Sequence, residues 1–330
     1  MPADTPTGRP ANRYSLVADI GGTNTRVALA EGPDLLPETV KRFSNAEYPG
    51  LESVLRHFLD DEGGVDCKAA CVAVAGPVRG GRGTLTNLDW TIDEATLARA
   101  TRAETVAILN DLQAQGHALG RLDGGNLRIV VEGPTPPAMA AQMVIGVGTG
   151  FNIAPVYHLE SGRFVAAAEA GHANMPIRTE ADFDLCRFVE TAHGFPAIED
   201  VLSGRGLERI YAWLGARDAT HGELRAAEIM AGCVDGRDPR AVEAVATFVR
   251  ILGTVAGNLA LIHLPFGGVF LAGGVARAIT PYLEVHGFTA AFRDKGRFSG
   301  FMQNFGVWAV EDDFAALTGS AGYLDQIAAA

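Results

Sequence analysis

The sequence predicts a two-lobed α/β fold. Apolar, strand-like runs alternate with amphipathic helical stretches, the order expected of mostly parallel sheets covered by helices. Two of those strands close on glycine turns, Leu16-Val17-Ala18-Asp19-Ile20-Gly21-Gly22-Thr23-Asn24-Thr25-Arg26 and Met143-Val144-Ile145-Gly146-Val147-Gly148-Thr149-Gly150, one in each expected lobe. A chain of 330 residues, 48% hydrophobic and 20% charged, is long enough and apolar enough for two domains of ordinary size.

The turns are the first candidate site. Glycine lets backbone N–H groups crowd against an anion, and Thr23 and Thr149 add hydroxyl donors, so Gly21, Gly22, Thr23 and Asn24 and then Gly148, Thr149 and Gly150 suit phosphates. A pair of tight hairpins with no ligand is the alternative. The residues after the two turns, Thr25-Arg26-Val27-Ala28-Leu29 and Phe151-Asn152-Ile153-Ala154, are strand-like. Neither G-x-G-x-x-G leading into a helix nor G-x-x-x-x-G-K-[ST] occurs, which takes away most of the support for the Rossmann and P-loop readings. Asp19 beside a phosphate cradle is unfavourable without a cation between them and points to magnesium, held through water.

In the first lobe the spacing predicts a helix over Pro49 to Leu59, with Leu51, Val54, Leu55 and Phe58 on one face, and strands over Ala69 to Ala75 and Thr105 to Leu109. The second lobe is expected to hold the Pro-rich loop Gly133 to Pro137, a hairpin turning at Glu160-Ser161-Gly162, and helices at about Gly206 to Trp213 and Pro239 to Leu261. Gly267 to Val275 reads as a short buried strand between glycine pairs, then a helix, with Gly273 and Gly274 at a ligand pocket. A closing helix over Asp313 to Ile327 is expected to return to the first lobe. The expected division is a disordered leader 1–13, a smaller domain of 14–121 with 313–330, and a larger domain of 122–312.

A net charge of −12 argues against a nucleic-acid surface, which needs clustered Lys and Arg. Cys67, Cys71, Cys186 and Cys233 are too few and scattered for a disulfide framework or zinc ribbon, which fits reduced thiols in a cytoplasm. Residues 1–13 lack an apolar signal core, and no long uncharged apolar run is read as a membrane span.

Several polar residues are placed to do chemistry. Asn110 and Asp111 end a buried strand where open α/β sheets bind ligands, and equally suit a helix N-cap. In Glu169-Ala170-Gly171-His172 the glycine argues against a helical metal pair, so Glu169 and His172 read either as loop groups that bind hydroxyls in a cleft or as ordinary loop residues left in solvent. Glu199, after Pro196, is either a ligand or a favourable charge at a helix start. Asn87 and Asp89 belong to a polar turn or a ligand contact. Lys295 and Arg297 read as a solvated turn or a phosphate contact, and the remaining histidines as surface or core residues.

Taken in order, these motifs resemble the bacterial ATP-dependent glucokinases of the hexokinase-like, actin-like ATPase superfamily, over nearly the whole chain after the leader. Asp19-Ile20-Gly21-Gly22-Thr23-Asn24 and Gly146-Val147-Gly148-Thr149-Gly150 are similar to the family's two phosphate motifs, and Gly268 to Gly274 to its adenosine motif. Leu109-Asn110-Asp111 resembles the segment with the catalytic aspartate, Glu169-Ala170-Gly171-His172 the sugar-binding Glu-x-Gly-His, and Val201 to Gly206 the segment preceded by a sugar-contacting glutamate, here Glu199. Lys295-Gly296-Arg297-Phe298 matches a family segment of unassigned role. Ala170 replaces the usual glycine. The related ROK kinases and repressors follow Glu-x-Gly-His with a cysteine-rich zinc loop that is missing here, and only 18 residues precede Asp19 where a repressor needs a DNA-binding helix-turn-helix.

The resemblance implies a two-lobed hexokinase-like fold with its active site in the cleft, ATP and Mg2+ as cofactors, glucose as acceptor, a homodimer, and a cytoplasmic location. It implies that Asp111 is the general base, that Asn110, Glu169, His172, Glu199 and Asn87 hold the sugar, and that lobe closure excludes water. The alternatives are a kinase for mannose, fructose or glucosamine, polyphosphate as donor, and a non-catalytic sugar sensor on the same scaffold.

Overall fold

The computed structural model describes residues 13–85, 88–220, 222–234 and 236–329. They fall into two compact units, 13–122 with 160–165 and 312–329, and 123–159 with 166–311.

The first unit is built on strands β1 (Tyr14–Ile20), β2 (Asn24–Glu31), β3 (Asp34–Leu35), β4 (Lys41–Ser44) and β5 (Cys67–Val74). Three short strands, β6 (Val78–Arg79), β7 (Arg82–Gly83) and β8 (Ile92–Asp93), form a small separate sheet, and β9 (Thr105–Asn110) returns to the main one. The main order is β3-β2-β1-β5-β9, with β4 also on β2. The first glycine turn makes β1 and β2 an antiparallel hairpin, whereas β5 and β9 continue in parallel. Both faces are covered, so β1 and β5 read as apolar runs rather than alternating ones.

The two faces differ in side-chain size. Leu16, Ile20, Leu29, Val72 and Val74 pack with Leu51, Val54, Leu55 and Phe58 of α1 (Leu51–Asp61), the four residues expected on one face. Helix α2 (Glu94–Thr101), capped by the Asp93 carboxylate accepting Thr96 N–H at 2.7 Å, completes that side. The opposite face is small, with Ala28, Ala30, Cys71, Ala73 and Ala107, and it receives Ala316, Leu317, Ala321 and Leu324 of the C-terminal helix Ala315–Ala329. That helix also packs on α3 (Asp111–Ala118): a Cβ on Gly319 would lie 1.7 Å from the Ala114 carbonyl oxygen, so only glycine permits the approach.

The second unit repeats the plan. Strands β10 (Leu127–Val131), β11 (Gln142–Val147) and β12 (Phe151–Leu159) precede β13 (Gly162–Val165), which lies in the segment grouped with the first unit; β14 (Val269–Ala272) and β15 (Val307–Val310) come later in the chain. The unit's own strands run β10-β15-β14-β11-β12. Again a glycine turn joins an antiparallel pair, β11 and β12, while β14 and β15 add in parallel.

Its helices are α4 (Glu180–His193), α5 (Gly204–Arg217), α6 (Ala226–Val234), α7 (Pro239–His263), α8 (Gly274–Ile279) and α9 (Phe288–Arg293). Helix α7 is long and apolar enough to cross a membrane, but two thirds of its most apolar stretch is buried, with Phe248, Val249 and Leu252 in the unit's core. Gly253 and Gly257 let α9 lie against it, since a Cβ on either would meet a backbone carbonyl of Phe288 or Phe292 at 2.6 or 2.3 Å. The buried Asp182 carboxylate accepts from Arg250, at 3.2 Å from Nη1, and ties the start of α4 to α7.

The division differs from the sequence expectation at 160–165, which groups with the first unit. The local reason is that Gln326 binds the Arg163 backbone in both directions, N–H to Oε1 at 2.8 Å and Nε2 to O at 3.1 Å.

Candidate active site

In the first unit, β1, β5 and β9 lie side by side in parallel register, with Ile20 opposite Val74 and Val74 opposite Asn110. Their carboxyl ends therefore deliver Asp19, the first glycine turn, Asn110 and Asp111 to one edge. The turn is closed by its own Gly21 N–H donating to Asn24 O at 2.9 Å, with Gly22 and Thr23 exposed at the tip. Buried Asn45 fixes it: its Nδ2 donates to Gly21 O at 2.9 Å, its N–H to Thr23 O at 2.9 Å, and its Oδ1 accepts from Thr25 Oγ1 at 2.8 Å.

Asn110 is the N-cap of α3, with Oδ1 accepting from Leu112 N–H at 3.0 Å and the Gln113 side chain reaching back to Asn110 N–H at 3.2 Å. Its Nδ2 donates to Gly76 O at 2.9 Å. The cap reading therefore holds, and one further donor and one further acceptor position of the amide remain for a ligand. Gly76 is itself required, because a Cβ there would sit 2.1 Å from Thr84 O.

Asp111 is the first residue of the same helix, and its Oδ1 accepts Leu112 N–H at 2.9 Å. Burial, and next the negative charge of Asp19, push its pKa up to about 7, against the opposing pull of nearby N–H donors. Asp19 is also raised by burial, opposed by Arg26, whose Nη1 stands 3.6 Å from Asp19 Oδ2 across the β1–β2 pair. The charge of Asp19 disfavours ionisation of Asp111, and two carboxylates delivered to one strand edge are a donor set suited to a hard divalent cation such as Mg2+. The residues present thus fit the expected metal. Among the described residues no cluster of three or more His, Cys, Asp or Glu side chains forms a ready-made metal cage.

In the second unit, four motif segments converge on residues 147–151. Gly148 N–H donates to Gly150 O at 2.9 Å inside the turn, leaving Thr149 exposed at its tip. Gly204 N–H, opening α5, donates to Gly148 O at 2.9 Å. Glu199, in the 3-10 turn Ile198–Asp200, accepts Phe151 N–H on Oε2 at 2.9 Å, and a Cβ on Gly150 would fall 2.5 Å from the same oxygen. The Glu199 carboxylate therefore points at the glycine turn rather than merely compensating a helix end. Gly273, at φ +103°, lies against Val147, where a Cβ would be 2.5 Å from its carbonyl oxygen, and Gly274 begins α8.

The Glu169-to-His172 loop forms a 3-10 turn, Ala170–His172, whose Gly171 packs on Phe151: a Cβ would lie 2.0 Å from Phe151 O and 3.4 Å from the Glu199 Cβ. Glu169 and His172 are exposed, with His172 Nε2 and Glu169 Oε2 3.9 Å apart. Sequence reasoning missed Asn152, which holds this loop. Its Nδ2 donates to Ala168 O and to Glu169 Oε2 at 3.2 Å, and its Oδ1 accepts Ala170 N–H at 3.0 Å. An amide inside the otherwise apolar run Phe151 to Val156 was the available signal.

Lys295 does not stand in a solvated turn. Its Nζ donates to Thr254 O on α7 at 3.1 Å, and burial with nearby Arg178 lowers its pKa. Arg297 is exposed and lies over the Phe298 ring. Asn87 lies outside the described residues.

Comparison with known proteins gives consistent matches. The glucokinase family model matches residues 16–327. The chain is 33% identical over 316 residues to a glucokinase of Saccharophagus degradans, covering 94% of this chain and 98% of that one. A crystal structure of glucokinase from an Antarctic psychrotroph superposes with TM-score 0.84 at 30% identity, covering 94% of this chain and 98% of that one. The Balamuthia mandrillaris glucokinase, solved in complex with glucose, shares the fold with TM-score 0.81 at 22% identity, covering 95% and 94%.

Proposed function

The chain belongs to the glucokinase family, and from that membership we propose that it transfers the γ-phosphoryl group of ATP to the 6-hydroxyl of D-glucose, with Asp111 as general base. The assignment of the base is supported by the place of Asp111 at the carboxyl end of β9, at the start of α3 and on the edge that holds Asp19, where burial and Asp19 push its pKa up to about 7. A carboxylate poised there can accept a proton at working pH, where an ordinary one is too weak a base. As the sugar O6 attacks the γ-phosphorus, the O6–P bond forms, the bond to the departing ADP oxygen breaks, and the O6 proton passes to Asp111.

The base and Asn110 stand on the first unit; Glu169, His172 and Glu199 stand on the second. Carboxylates, an amide and an imidazole match a hexose, whose hydroxyls each donate and accept. Asn87 keeps its proposed sugar role from the resemblance alone. Gly21, Gly22, Thr23 and Asn24, Gly148, Thr149 and Gly150, and Gly273 and Gly274 are the proposed nucleotide contacts. Within these turns the Gly21 and Gly148 amides are spent on turn closure, so donation falls to the tips. Mg2+, held through Asp19 and water, would offset charge on the transferring phosphates.

Cys67, Cys71, Cys186 and Cys233 are all buried and unpaired, which supports a reducing, cytoplasmic setting. A homodimer is proposed from the family resemblance; sedimentation giving a monomer at assay concentrations would overturn it. The decisive test of function is a panel of hexoses with ATP, ADP and polyphosphate, read as glucose 6-phosphate or nucleotide release. Turnover is expected for glucose with ATP, and preference for another hexose or donor, or no turnover at all, would refute the proposal.

A further inference from the structure

Away from the candidate site, the first unit has a polar cavity of about 350 Å³ lined by His117, Arg121, Arg163, Asp325 and Gln326 together with three glycines. Two of those glycines make room for guanidinium groups. Arg163 Nη2 lies over Gly120, at φ +84°, where a Cβ would be 2.3 Å away, and Arg121 Nε lies over Gly322, where a Cβ would be 2.9 Å away. Arg163 is held firmly: Gln326 binds its backbone on both sides, and Nη1 donates to His117 O at 3.0 Å near the end of α3.

The charges around the cavity do not balance. Among the described residues no carboxylate stands within ion-pair distance of Arg163, and Arg121 reaches only Asp325, at 3.9 Å. Burial, and next the charge of Arg121, lower the Arg163 pKa, so the two cations feel each other. His117 adds no third positive charge, because burial and Arg163 hold its pKa at about 4 and leave it neutral. In a chain of net charge −12, a half-buried Arg163 without a carboxylate partner beside the more exposed Arg121 leaves this recess locally cationic, an arrangement that a bound anion would relieve. Guanidinium forks match the oxygens of a phosphate group.

We propose that this cavity is a binding site for a phosphate group, either inorganic phosphate or the phosphate of a small monoester, with Arg121 and Arg163 as its ligands. The site is distinct from the residues assigned to nucleotide and sugar, and its existence does not depend on the proposed reaction.

The test is calorimetric titration of the full chain with inorganic phosphate and, separately, with glucose 6-phosphate, in the presence of glucose and a non-hydrolysable ATP analogue. Expected is one bound phosphate group per chain, with affinity reduced at least ~10-fold in Arg121→Gln and in Arg163→Gln, as loss of a charge-assisted hydrogen-bonding partner implies. Arg56→Gln, elsewhere on the same unit, should bind like the parent. Binding of both probes assigns the phosphate group alone; binding of glucose 6-phosphate only assigns a sugar monoester. If Arg163→Gln fails to fold, Arg121→Gln decides, since Arg121 makes no comparable backbone contact through its guanidinium. Absence of binding by either probe, or equal affinity in parent and Arg121→Gln, overturns the proposal.

Discussion

The Glu199 carboxylate accepts the backbone N–H of Phe151 at 2.9 Å, joining a proposed sugar ligand to the residue that ends the second glycine turn. Removing it leaves a buried-edge amide without its acceptor and loosens the turn. Glu199→Ala is expected to raise KM for glucose at least ~10-fold and to raise KM for ATP as well. A change in glucose KM with unaltered ATP KM would show that the contact does not couple the two.

The proposed role of Asp111 as base predicts a pH dependence. With its carboxyl near 7 and only the ionised form basic, kcat/KM should rise with pH and level off above about 7. Asp19→Asn removes the like charge that helps hold the Asp111 pKa up, so whatever activity remains should show its midpoint at lower pH. An unmoved midpoint would remove Asp19 from the account.

Asp111→Asn should keep glucose binding while turnover falls about 10²–10⁴-fold. The same substitution should stabilise the fold. A carboxyl whose folded pKa exceeds its unfolded value favours folding at low pH and loses that advantage as pH rises through the folded value, so an uncharged replacement gains most above pH 7. Thermal unfolding should show a gain of about 1–3 kcal/mol at pH 8, allowing for partial exposure, and little at pH 4. No gain at pH 8 would mean that burial of the charge is relieved in the folded state.

Asn152 holds the Glu169 loop without being assigned to substrate. Asn152→Ala should raise KM for glucose several-fold, about the worth of one or two hydrogen bonds, with a smaller change in kcat. Unchanged glucose KM would mean the loop is held by Gly171 packing alone.

Gly319→Ala tests the helix approach over α3. With the new methyl 1.7 Å from the Ala114 oxygen, the helices must separate, at a cost of about 1–3 kcal/mol. A melting temperature equal to the parent's would show that the helix pair yields freely.

Much of this was legible in the chain itself. The α1 face, the glycine turns as hairpins, the buried strand before Gly273 and the long α7 all arise from local pattern, and the hexokinase-like α/β class is the fold of the matched glucokinase structures. Helix α4 escapes a sequence reading although Thr179 and Asp182 form its capping box, because exposed Phe183 blurs the face carried by Leu185 and Val189. Asn45 is invisible for a different reason: its partner Gly21 lies 24 positions away and no spacing connects them. Lys295 likewise finds its carbonyl 41 positions earlier, on α7. Local rules place elements and turns, while side chains that brace them act through distances no window spans.

The chain passes from one unit to the other four times, after 122, 159, 165 and 311. Neither half can therefore be excised as a single piece of gene. A fragment ending at 122 would lack the helix over Ala315–Ala329, leaving the alanine-rich face of its sheet bare and sticky. Shuffling such a protein into chimeras demands several simultaneous joins, so its evolution would proceed by substitution within each half more readily than by trading halves.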